Sequence, residues 1–381
     1  MIYRTLGRTG YTVSQLGFGA MRLPMVGTGA EAKVNRDLAI PMIHRAFEAG
    51  VNYIDTAVGY GNIDSQRAVG EALKGWRDKV VVSTKNGYYG PDEKEWWTHL
   101  EDSLERLGVS CIDIYNHHGL NWKHYTQDVE PRLGQWMRKA KDQGLIKHIG
   151  CSFHDNNDGL RNLVDSGYVA SITLQYNLLD RQIEDGIAYA HEKGVGIVVM
   201  GPVAGGRLGA DSEVIGHLVP GLSRVPELAL RFVLANPNVT IALSGMSTMQ
   251  HVQENVVVAA DEISLSAADR EAIAEHLTRL TELAKLYCTG CGYCTPCPKG
   301  VAIPQIFGMV NNGRVYGLWT HARKAYANLI KNQERPKRGK PATACADCGA
   351  CEPKCPQSIA IRQQLKDAHE ALTSAEPAVK K

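Results

Sequence analysis

Residues 196–200 read Gly-Ile-Val-Val-Met, a short and nearly continuous apolar run that is rich in β-branched side chains. Such a run is typical of a strand that is buried on both faces of a sheet. Seven further runs of this kind lie at residues 16–19, 52–55, 80–83, 112–115, 148–151, 171–174 and 239–243. The sequence therefore predicts eight buried strands.

Amphipathic stretches separate these runs. One extends from Ile40 to Phe47 and ends at Gly50, and another extends from Ile183 to His191 and ends at Gly194. Apolar residues at helical spacing followed by glycine are typical of a capped helix. Eight β–α units in about 250 residues predict an α/β fold, a (β/α)8 TIM barrel. An open doubly wound sheet is the competing topology, but no Gly-x-Gly-x-x-Gly turn follows the first strand.

The bulk composition suits a large globular protein, with 381 residues of which 44% are hydrophobic. Lys plus Arg total 42 and Asp plus Glu total 40, so the net charge of +2 provides no field that would attract nucleic acid. No apolar run approaches the roughly eighteen residues of a membrane span. The first residues, Met-Ile-Tyr-Arg-Thr, lack the apolar stretch of a secretory signal. We therefore expect a cytoplasmic protein with no nucleic-acid partner and no membrane span.

Eight of the ten cysteines lie between residues 288 and 355. Disulfide scaffolds are small secreted proteins, which does not describe this long chain. The cysteines form two runs, Cys288-x2-Cys291-x2-Cys294-x2-Cys297-Pro298 and Cys345-x2-Cys348-x2-Cys351-x3-Cys355-Pro356.

This spacing predicts two [4Fe–4S] clusters. In two-cluster ferredoxins, three thiolates at three-residue steps bind one cluster, and the fourth, before proline, binds the other. We therefore expect one cluster on Cys288, Cys291, Cys294 and Cys355, and the second on Cys345, Cys348, Cys351 and Cys297. Two structural zinc sites are the alternative, but zinc sites usually pair Cys-x-x-Cys knuckles. The first run departs from the usual spacing, because two residues rather than three precede its Cys-Pro.

The sequence thus divides into three parts. We expect residues 1–285 to form the barrel, residues 286–363 to form a mainly helical, ferredoxin-like iron–sulfur domain with both motifs, and residues 364–381 to form a tail. Within the first part, residues 3–15 contain the turn Gly7-Arg8-Thr9-Gly10, which predicts a hairpin at the floor of the barrel.

Polar residues follow several predicted strands, at the end of a barrel where catalytic groups lie. Asp55 closes the second strand, Tyr60 follows it, Lys85 closes the third strand and His118 closes the fourth. A neighbouring ammonium lowers the pKa of a tyrosine, which is ordinarily about 10. A carboxylate can hold that lysine charged, and a histidine can orient a carbonyl. Each residue also has a structural interpretation taken singly, but together they predict proton delivery to an oxygen that gains charge.

On these residues the sequence resembles the aldo-keto reductase superfamily, over residues 1 to about 285. With its C-terminal cysteines, the chain resembles the bacterial and archaeal branch that is fused to a 4Fe–4S ferredoxin-type domain. The resemblance implies NAD(P)H-dependent, reversible reduction of an aldehyde or ketone. It assigns roles to four residues: Tyr60 as general acid, Lys85 as the partner that lowers its pKa, Asp55 as the anchor of the lysine, and His118 as the group that orients the carbonyl.

The resemblance also implies contacts to the nicotinamide nucleotide, NADP(H) or NAD(H). They are Ser152, Met200, Gly201, Arg207, Ser247, Glu254 and Asn255, with 201–208 along the pyrophosphate and 247–255 at the adenosine end. The family usually adds an Asn and a Gln around the nicotinamide, and here Phe153 and Thr173 stand in those places. Gly245 and His251 replace cations that commonly bind a 2′-phosphate, so either nucleotide is compatible, and Arg207 is a candidate to compensate.

Several alternatives stay open. The clusters either relay electrons, with a ferredoxin-like redox partner, or support a small domain structurally. The barrel is expected to interconvert a small carbonyl substrate and its alcohol, and the alternative is an electron-transfer or cofactor-sensing protein with a non-catalytic barrel. Tyr88, Tyr89, Trp122 and Tyr125 suggest an aromatic pocket for a sugar or ring compound, although buried packing explains them equally well.

Overall fold

The structure is a computed structural model that describes residues 1–216, 218–219, 222, 224–261, 265–285, 288, 290–332 and 339–374. Within these ranges the strands are β1 (Tyr3–Thr5), β2 (Thr12–Ser14), β3 (Leu16–Gly19), β4 (Met25–Val26), β5 (Lys33–Val34), β6 (Tyr53–Asp55), β7 (Val81–Asn86), β8 (Ile112–Leu120), β9 (Ile146–Phe153), β10 (Ser171–Gln175), β11 (Gly196–Met200) and β12 (Ile241–Ser244).

The helices of the same ranges are α1 (Arg36–Glu48), α2 (Ser65–Ala72), α3 (Glu93–Leu107), α4 (Trp122–His124), α5 (Gly134–Asp142), α6 (Asn157–Asp165), α7 (Glu184–Glu192), α8 (Val225–Leu234), α9 (Met249–Ala260), α10 (Ala267–Lys285), α11 (Ile303–Arg314), α12 (Trp319–Lys331) and α13 (Ile361–Thr373). A π-helix, Tyr125–Leu133, joins α4 to α5. Short polar side chains begin several of them: the Asp92 carboxylate accepts from the Lys94 amide at the start of α3, and Thr248 accepts from the His251 amide at the start of α9.

Strands β3 and β6 to β12 close into a parallel eight-stranded barrel, in which the strand order follows the chain. Each predicted apolar run overlaps one of these strands, so the predicted (β/α)8 TIM barrel is confirmed. The parallel register brings the carboxyl ends of all eight strands to one rim. The open doubly wound sheet is excluded because β12 pairs with β3 and completes the ring.

The N-terminal hairpin occupies the opposite end of the barrel. Strands β1 and β2 pair antiparallel, as predicted, and the turn between them carries Leu6 and Gly7 against the start of β11. The Arg8 amide donates to the Gly194 carbonyl over 2.9 Å. A Cβ on Gly7 would lie 2.3 Å from the Gly196 nitrogen, so only glycine allows this approach.

The chain divides into two compact units. One comprises Met1–Gly205 with Ala229–Ser264, and the other comprises Gly206–Leu228 with Leu265–Lys381. The predicted domain boundary at residue 285 stays a prediction. The second unit therefore contains both cysteine runs and also a segment that follows β11 in the chain.

The C-terminal helices of the second unit have an apolar core of their own. Ile306 and Phe307 of α11, Tyr326 of α12 and Leu365 and Leu372 of α13 are all buried in it. The predicted mainly helical character of this region is confirmed. The predicted tail is nevertheless helical over residues 364–373, because α13 buries one face in this core, and residues 375–381 lie outside the described part.

None of the helices in the described ranges is both long and apolar enough to cross a membrane.

Candidate active site and cluster sites

A buried ion pair lies at the carboxyl ends of β6 and β7. Asp55 is 2% exposed and Lys85 is 1% exposed, and the Lys85 ammonium contacts the Asp55 carboxylate directly. The ammonium also donates to the Thr56 carbonyl over 2.8 Å. Since an unpaired buried charge is strongly disfavoured, removal of either group would leave the other without its partner.

Two further side chains, which sequence reasoning missed, fix this pair. The Ser83 hydroxyl donates to the second Asp55 oxygen over 2.8 Å. The Asn116 amide in turn donates to the Ser83 hydroxyl and to the Thr84 carbonyl, each over 3.0 Å. Ser83 and Asn116 lie inside strands, where a sequence pattern does not separate a supporting polar residue from one that lines the barrel.

The Tyr60 and His118 rings complete the group of four. The Lys85 nitrogen lies 4.9 Å from the centre of the Tyr60 ring. The rings of Tyr60 and His118 stand nearly perpendicular, with their centres 6.0 Å apart. The structure therefore brings Asp55, Tyr60, Lys85 and His118 together, each on a separate strand end or the loop behind it.

The pKa of Tyr60 reflects opposing effects. Burial raises the pKa of the phenol, the charge of Lys85 lowers it, Asp55 raises it, and a hydrogen bond with Lys85 lowers it, with a net rise. The expectation that Lys85 lowers the pKa of Tyr60 has the correct direction, but the expectation that the phenol is more acidic than a free tyrosine is wrong. Burial outweighs the ammonium, so Tyr60 keeps its proton at neutral pH.

His118 is neutral at physiological pH. Burial lowers its pKa to about 4, the Lys85 charge adds to this decrease, and Asp55 opposes it. A protonated phenol donates one hydrogen bond, and a neutral imidazole donates one from the ring nitrogen that carries the proton. When that nitrogen faces the substrate oxygen, the two groups can both donate to this oxygen.

Three predicted nucleotide residues lie at or just after strand ends of the same rim. Ser152 is buried near the end of β9, where its hydroxyl accepts from the Gly119 amide over 2.8 Å, directly after His118. Met200 ends β11 and pairs in register with Gln175 of β10. Gly201 adopts φ +66°, and a Cβ there would lie 2.8 Å from the Gln175 side-chain amide.

Gln175 is a residue that sequence reasoning missed. The predicted strand ended at Leu174, whereas β10 extends one residue further. Thr173, which stood in the place of the expected glutamine, is buried and pairs with Ser152 inside the sheet. The Gln175 amide instead lies at the strand end beside Gly201. In the sequence, the position of Gln175 directly after the apolar run could have indicated it.

The predicted adenosine-end residues lie after β12, with Ser247 in the loop and Glu254 and Asn255 in α9. The Asn255 amide donates to the Ser244 hydroxyl over 3.0 Å, and the Ser247 amide hydrogen points at the His251 ring nitrogen over 3.4 Å. Glu254 accepts from the Gln250 amide over 2.8 Å. Nearby, a Cβ on Gly245 would lie 3.0 Å from the Arg22 side chain, which places an exposed cation here that the sequence did not indicate.

Arg207 belongs to the second unit. Its guanidinium donates to the Asn312 side-chain oxygen of α11 over 2.6 Å. Its predicted contact with the nucleotide stays a prediction, and the structure adds a second interaction for the same side chain.

The aromatic residues of the predicted substrate pocket are partly structural. Tyr125 is 6% exposed and stacks on Trp122 with ring centres 5.2 Å apart. Tyr89 packs on His124 and on the buried His117. The Tyr88 hydroxyl accepts from the Asp92 amide over 2.9 Å. Packing therefore accounts for Tyr125, and an aromatic substrate pocket stays a prediction.

Four cysteines of the predicted first cluster line one cavity. Cys288, Cys291, Cys294 and Cys355 face it together with apolar side chains that include Ile303 and Phe307 of α11. Burial raises the pKa of the Cys288 thiol, and Cys291 and Cys355 raise it further. Cys355 comes from the second sequence run, so this set is the interleaved one, and four thiols around an apolar space fit a cubane cluster.

Cysteines of the predicted second set, which come from both runs, also lie near one another. Burial raises the pKa of the Cys351 thiol, and Cys297 and Cys345 lie near enough to raise it further. Cys348 is exposed. Among the residues that the structure describes, no group of three or more His, Cys, Asp or Glu side chains is arranged to hold a metal ion.

Comparison with known families agrees with this geometry. The sequence matches the model of the aldo/keto reductase family over residues 15–278, and the model of a 4Fe-4S dicluster domain over residues 287–360. The chain belongs to the aldo/keto reductase family, and its C-terminal part is a 4Fe-4S dicluster domain. It is therefore an oxidoreductase of a family that binds NAD(P)H and acts on small carbonyl substrates.

Individual relatives cover the barrel. An L-galactose dehydrogenase of Arabidopsis thaliana is 30% identical over 300 residues, which span 71% of this chain and 92% of the relative. An NADH-specific methylglyoxal reductase of Escherichia coli is 27% identical over 321 residues, which span 71% of this chain and 96% of that relative. Among solved structures, the holo form of an aldo-keto reductase from Bacillus halodurans is 29% identical with a TM-score of 0.62, covering 72% of this chain and 96% of its own.

Proposed function

We propose that this protein reversibly reduces an aldehyde or ketone to its alcohol with NADPH or NADH, at the site formed by Asp55, Tyr60, Lys85 and His118. The observation that carries the proposal is the buried Lys85 ammonium, which contacts Asp55 on one side and lies 4.9 Å from the Tyr60 ring on the other. A structural ion pair alone does not require a phenol and a neutral imidazole beside it.

The proposed roles follow from the charges of these groups. When bound, the reduced nicotinamide nucleotide supplies a hydride to the carbonyl carbon. Tyr60, protonated at neutral pH, donates its phenolic proton to the carbonyl oxygen as that oxygen gains negative charge. The Lys85 ammonium stabilises the phenolate that is left, and Asp55 holds the ammonium in place. Neutral His118 donates a hydrogen bond that orients the carbonyl.

The nucleotide is proposed to bind at the strand ends beside this group. Because Gly201 has no side chain, its backbone can lie close to the Gln175 side-chain amide. The Gln175 amide and the buried Ser152 hydroxyl are suited to hydrogen bonds with the nicotinamide carboxamide. Arg22 and Arg207 are the candidate cations for a 2′-phosphate, so we retain both NADP(H) and NAD(H). The relatives' names suggest small sugars and dicarbonyls as the first substrates to assay.

The two cysteine sets are proposed to bind two [4Fe–4S] clusters. These clusters either exchange single electrons with a ferredoxin-like partner or support the fold of their domain. Because α11, α12 and α13 share an apolar core, the helices have packing that does not depend on iron alone. If electron paramagnetic resonance shows that the clusters are reduced during carbonyl turnover, the relay role is favoured.

Substitution of Tyr60→Phe tests the catalytic proposal, because it removes the proton and keeps the ring. We expect kcat for carbonyl reduction to fall by about 100-fold or more. The affinity for the nucleotide, measured by its fluorescence, should stay the same because the ring packing is kept.

Tyr189→Phe is the matched control, since the Tyr189 hydroxyl of α7 donates to Asp165 on the outer helices. It should retain the wild-type rate. Wild-type activity in Tyr60→Phe would show that Tyr60 is not the general acid. Tight nucleotide binding without turnover of any carbonyl by the wild type would instead support a non-catalytic barrel.

A further inference from the structure

The segment that follows β11 in the chain packs with the cluster-binding part. Residues 206–228 and residues from 265 onward form one compact unit, although more than thirty-five residues separate them in sequence. The segment begins directly after Gly205 and carries Arg207, one of the predicted nucleotide contacts. The segment therefore belongs to the same unit as the cysteine runs, although it follows β11 directly in the chain.

Two hydrogen bonds attach this segment to α11 and to the turn after it. The Arg207 guanidinium donates to the Asn312 side-chain oxygen over 2.6 Å. The Ser212 hydroxyl, in a residue only 5% exposed, donates to the Tyr316 carbonyl over 2.7 Å. Gly317 lies so close that a Cβ would be 2.6 Å from the Ser212 hydroxyl oxygen. The contact is therefore closely packed as well as polar.

The same helix reaches the first cysteine run. The Asn311 amide donates to the Cys288 carbonyl over 2.9 Å, and Ile303 and Phe307 line the cavity with the four cysteines. Asn311 and Asn312 are neighbours in α11, so one contacts the cysteine run and the other contacts the segment with Arg207. A change in the cysteine run has a short and continuous route to Arg207.

We propose that the iron–sulfur domain keeps residues 206–216, which carry the predicted nucleotide contact Arg207, in one conformation through the Arg207–Asn312 and Ser212–Tyr316 hydrogen bonds. This inference rests on the proposed function and gives the clusters a part in it that requires no electron transfer. An ordered segment binds the nucleotide more tightly because the cost of ordering it has already been met during folding. Asn312 is a positioning residue in this scheme and does not itself touch the nucleotide.

The test uses the full-length holoprotein with Asn312→Ala, purified anaerobically and matched to wild type in iron and sulfide content. Nucleotide dissociation constants are measured by NADH and NADPH fluorescence, and hydrogen–deuterium exchange is measured over residues 206–216. We expect about fivefold weaker binding, since a charged hydrogen bond is lost. We also expect faster exchange in the segment, with kcat unchanged at saturating nucleotide.

Asn328→Ala is the control, because Asn328 is exposed on the neighbouring helix α12 of the same unit. Gly317→Ala provides a second perturbation that forces the segment away from the turn without touching Arg207. If both Asn312→Ala and Gly317→Ala bind nucleotide and exchange as the wild type does, the inference is overturned while the proposed function stands. If the wild type binds neither nucleotide, both are overturned.

Discussion

Among individual residues, the Asp55–Lys85 pair has the largest energetic consequence. Removing two ions from water costs several kcal/mol each, and only close contact and further hydrogen bonds recover that cost. Ser83, Asn116 and the Thr56 carbonyl provide those hydrogen bonds here. A hydrophobic pair of similar volume would be at least as stable, so the chemistry of the site is a better reason for the pair than stability.

Lys85→Met should destabilise the barrel by about 3 kcal/mol, because it leaves Asp55 buried without a partner. It should also abolish carbonyl reduction. The double variant Asp55→Asn/Lys85→Met should regain most of the stability but none of the activity. Urea unfolding of the three proteins, alongside activity assays, measures both effects.

Equal stability of the single and double variants would contradict this account, since the loss would then arise from packing rather than from an unpaired charge. Equal activity of the double variant and the wild type would remove Lys85 from the reaction.

The four residues of the group could be predicted from sequence because each follows a recognisable strand. The net direction of the pKa shift at Tyr60 could not be predicted from sequence. Whether burial or Lys85 determines its pKa depends on how much of the phenol the surrounding loops cover, and that is a property of the folded chain.

The strands and helices themselves were predictable where apolar periodicity is strong. All eight barrel strands were found, and the bounds of β3 and β11 were correct. Other ends were missed, since β8 extends to Leu120 and β10 to Gln175 through residues that are not apolar. Because catalytic and binding side chains lie at strand ends, a boundary error of one residue concealed Gln175. The hairpin was predictable because its glycine turn is local.

The two cysteine runs give a prediction that distinguishes the interleaved arrangement from one cluster per run. With interleaved sets, Cys288→Ala/Cys355→Ala removes ligands from one cluster, so about four irons should remain per chain. Cys288→Ala/Cys297→Ala removes a ligand from each cluster, and both should be lost or labile. Iron and sulfide counts after anaerobic purification measure the difference.

The reverse result, with four irons retained in Cys288→Ala/Cys297→Ala and few in Cys288→Ala/Cys355→Ala, would establish one cluster per run. Each pair removes two cysteines, so the two variants serve as controls for each other.

Across the whole molecule, buried histidines link folding to pH. Burial lowers the pKa of His117 to about 3, and its ring nitrogen lies 2.9 Å from the Tyr168 hydroxyl. In the unfolded chain its pKa is about 6.5, so the unfolded state binds a proton that the folded state does not. The contribution of neutral His117 to the free energy of unfolding is therefore fully present above about pH 6.5, the unfolded pKa. It decreases as the pH falls from there towards the folded pKa of about 3.

His117→Gln should therefore make stability less dependent on pH. Between pH 7.5 and pH 5, the wild type should lose about 2 kcal/mol more of its unfolding free energy than the variant does. Urea unfolding at the two pH values tests this, with exposed His191→Gln as the control. An identical pH dependence in His117→Gln and the wild type would show that His117 does not control this loss.

The association of residues 206–228 with the second unit could not be predicted from sequence. Arg207 and Asn312 are 105 positions apart, and neither lies in a pattern that specifies the other. The motifs that identify each domain carry no signal that residues 206–228 belong to the second unit. Such pairing is specified by side-chain complementarity across the fold.

The hairpin under the barrel has a practical consequence. Because Leu6 and Gly7 fill the floor, the amino terminus emerges at the sealed end of the barrel, and the catalytic rim lies at the other. An enzyme attached to beads or to an electrode through its first residues would therefore be held at the end of the barrel away from the catalytic rim, so the attachment would not involve the catalytic residues.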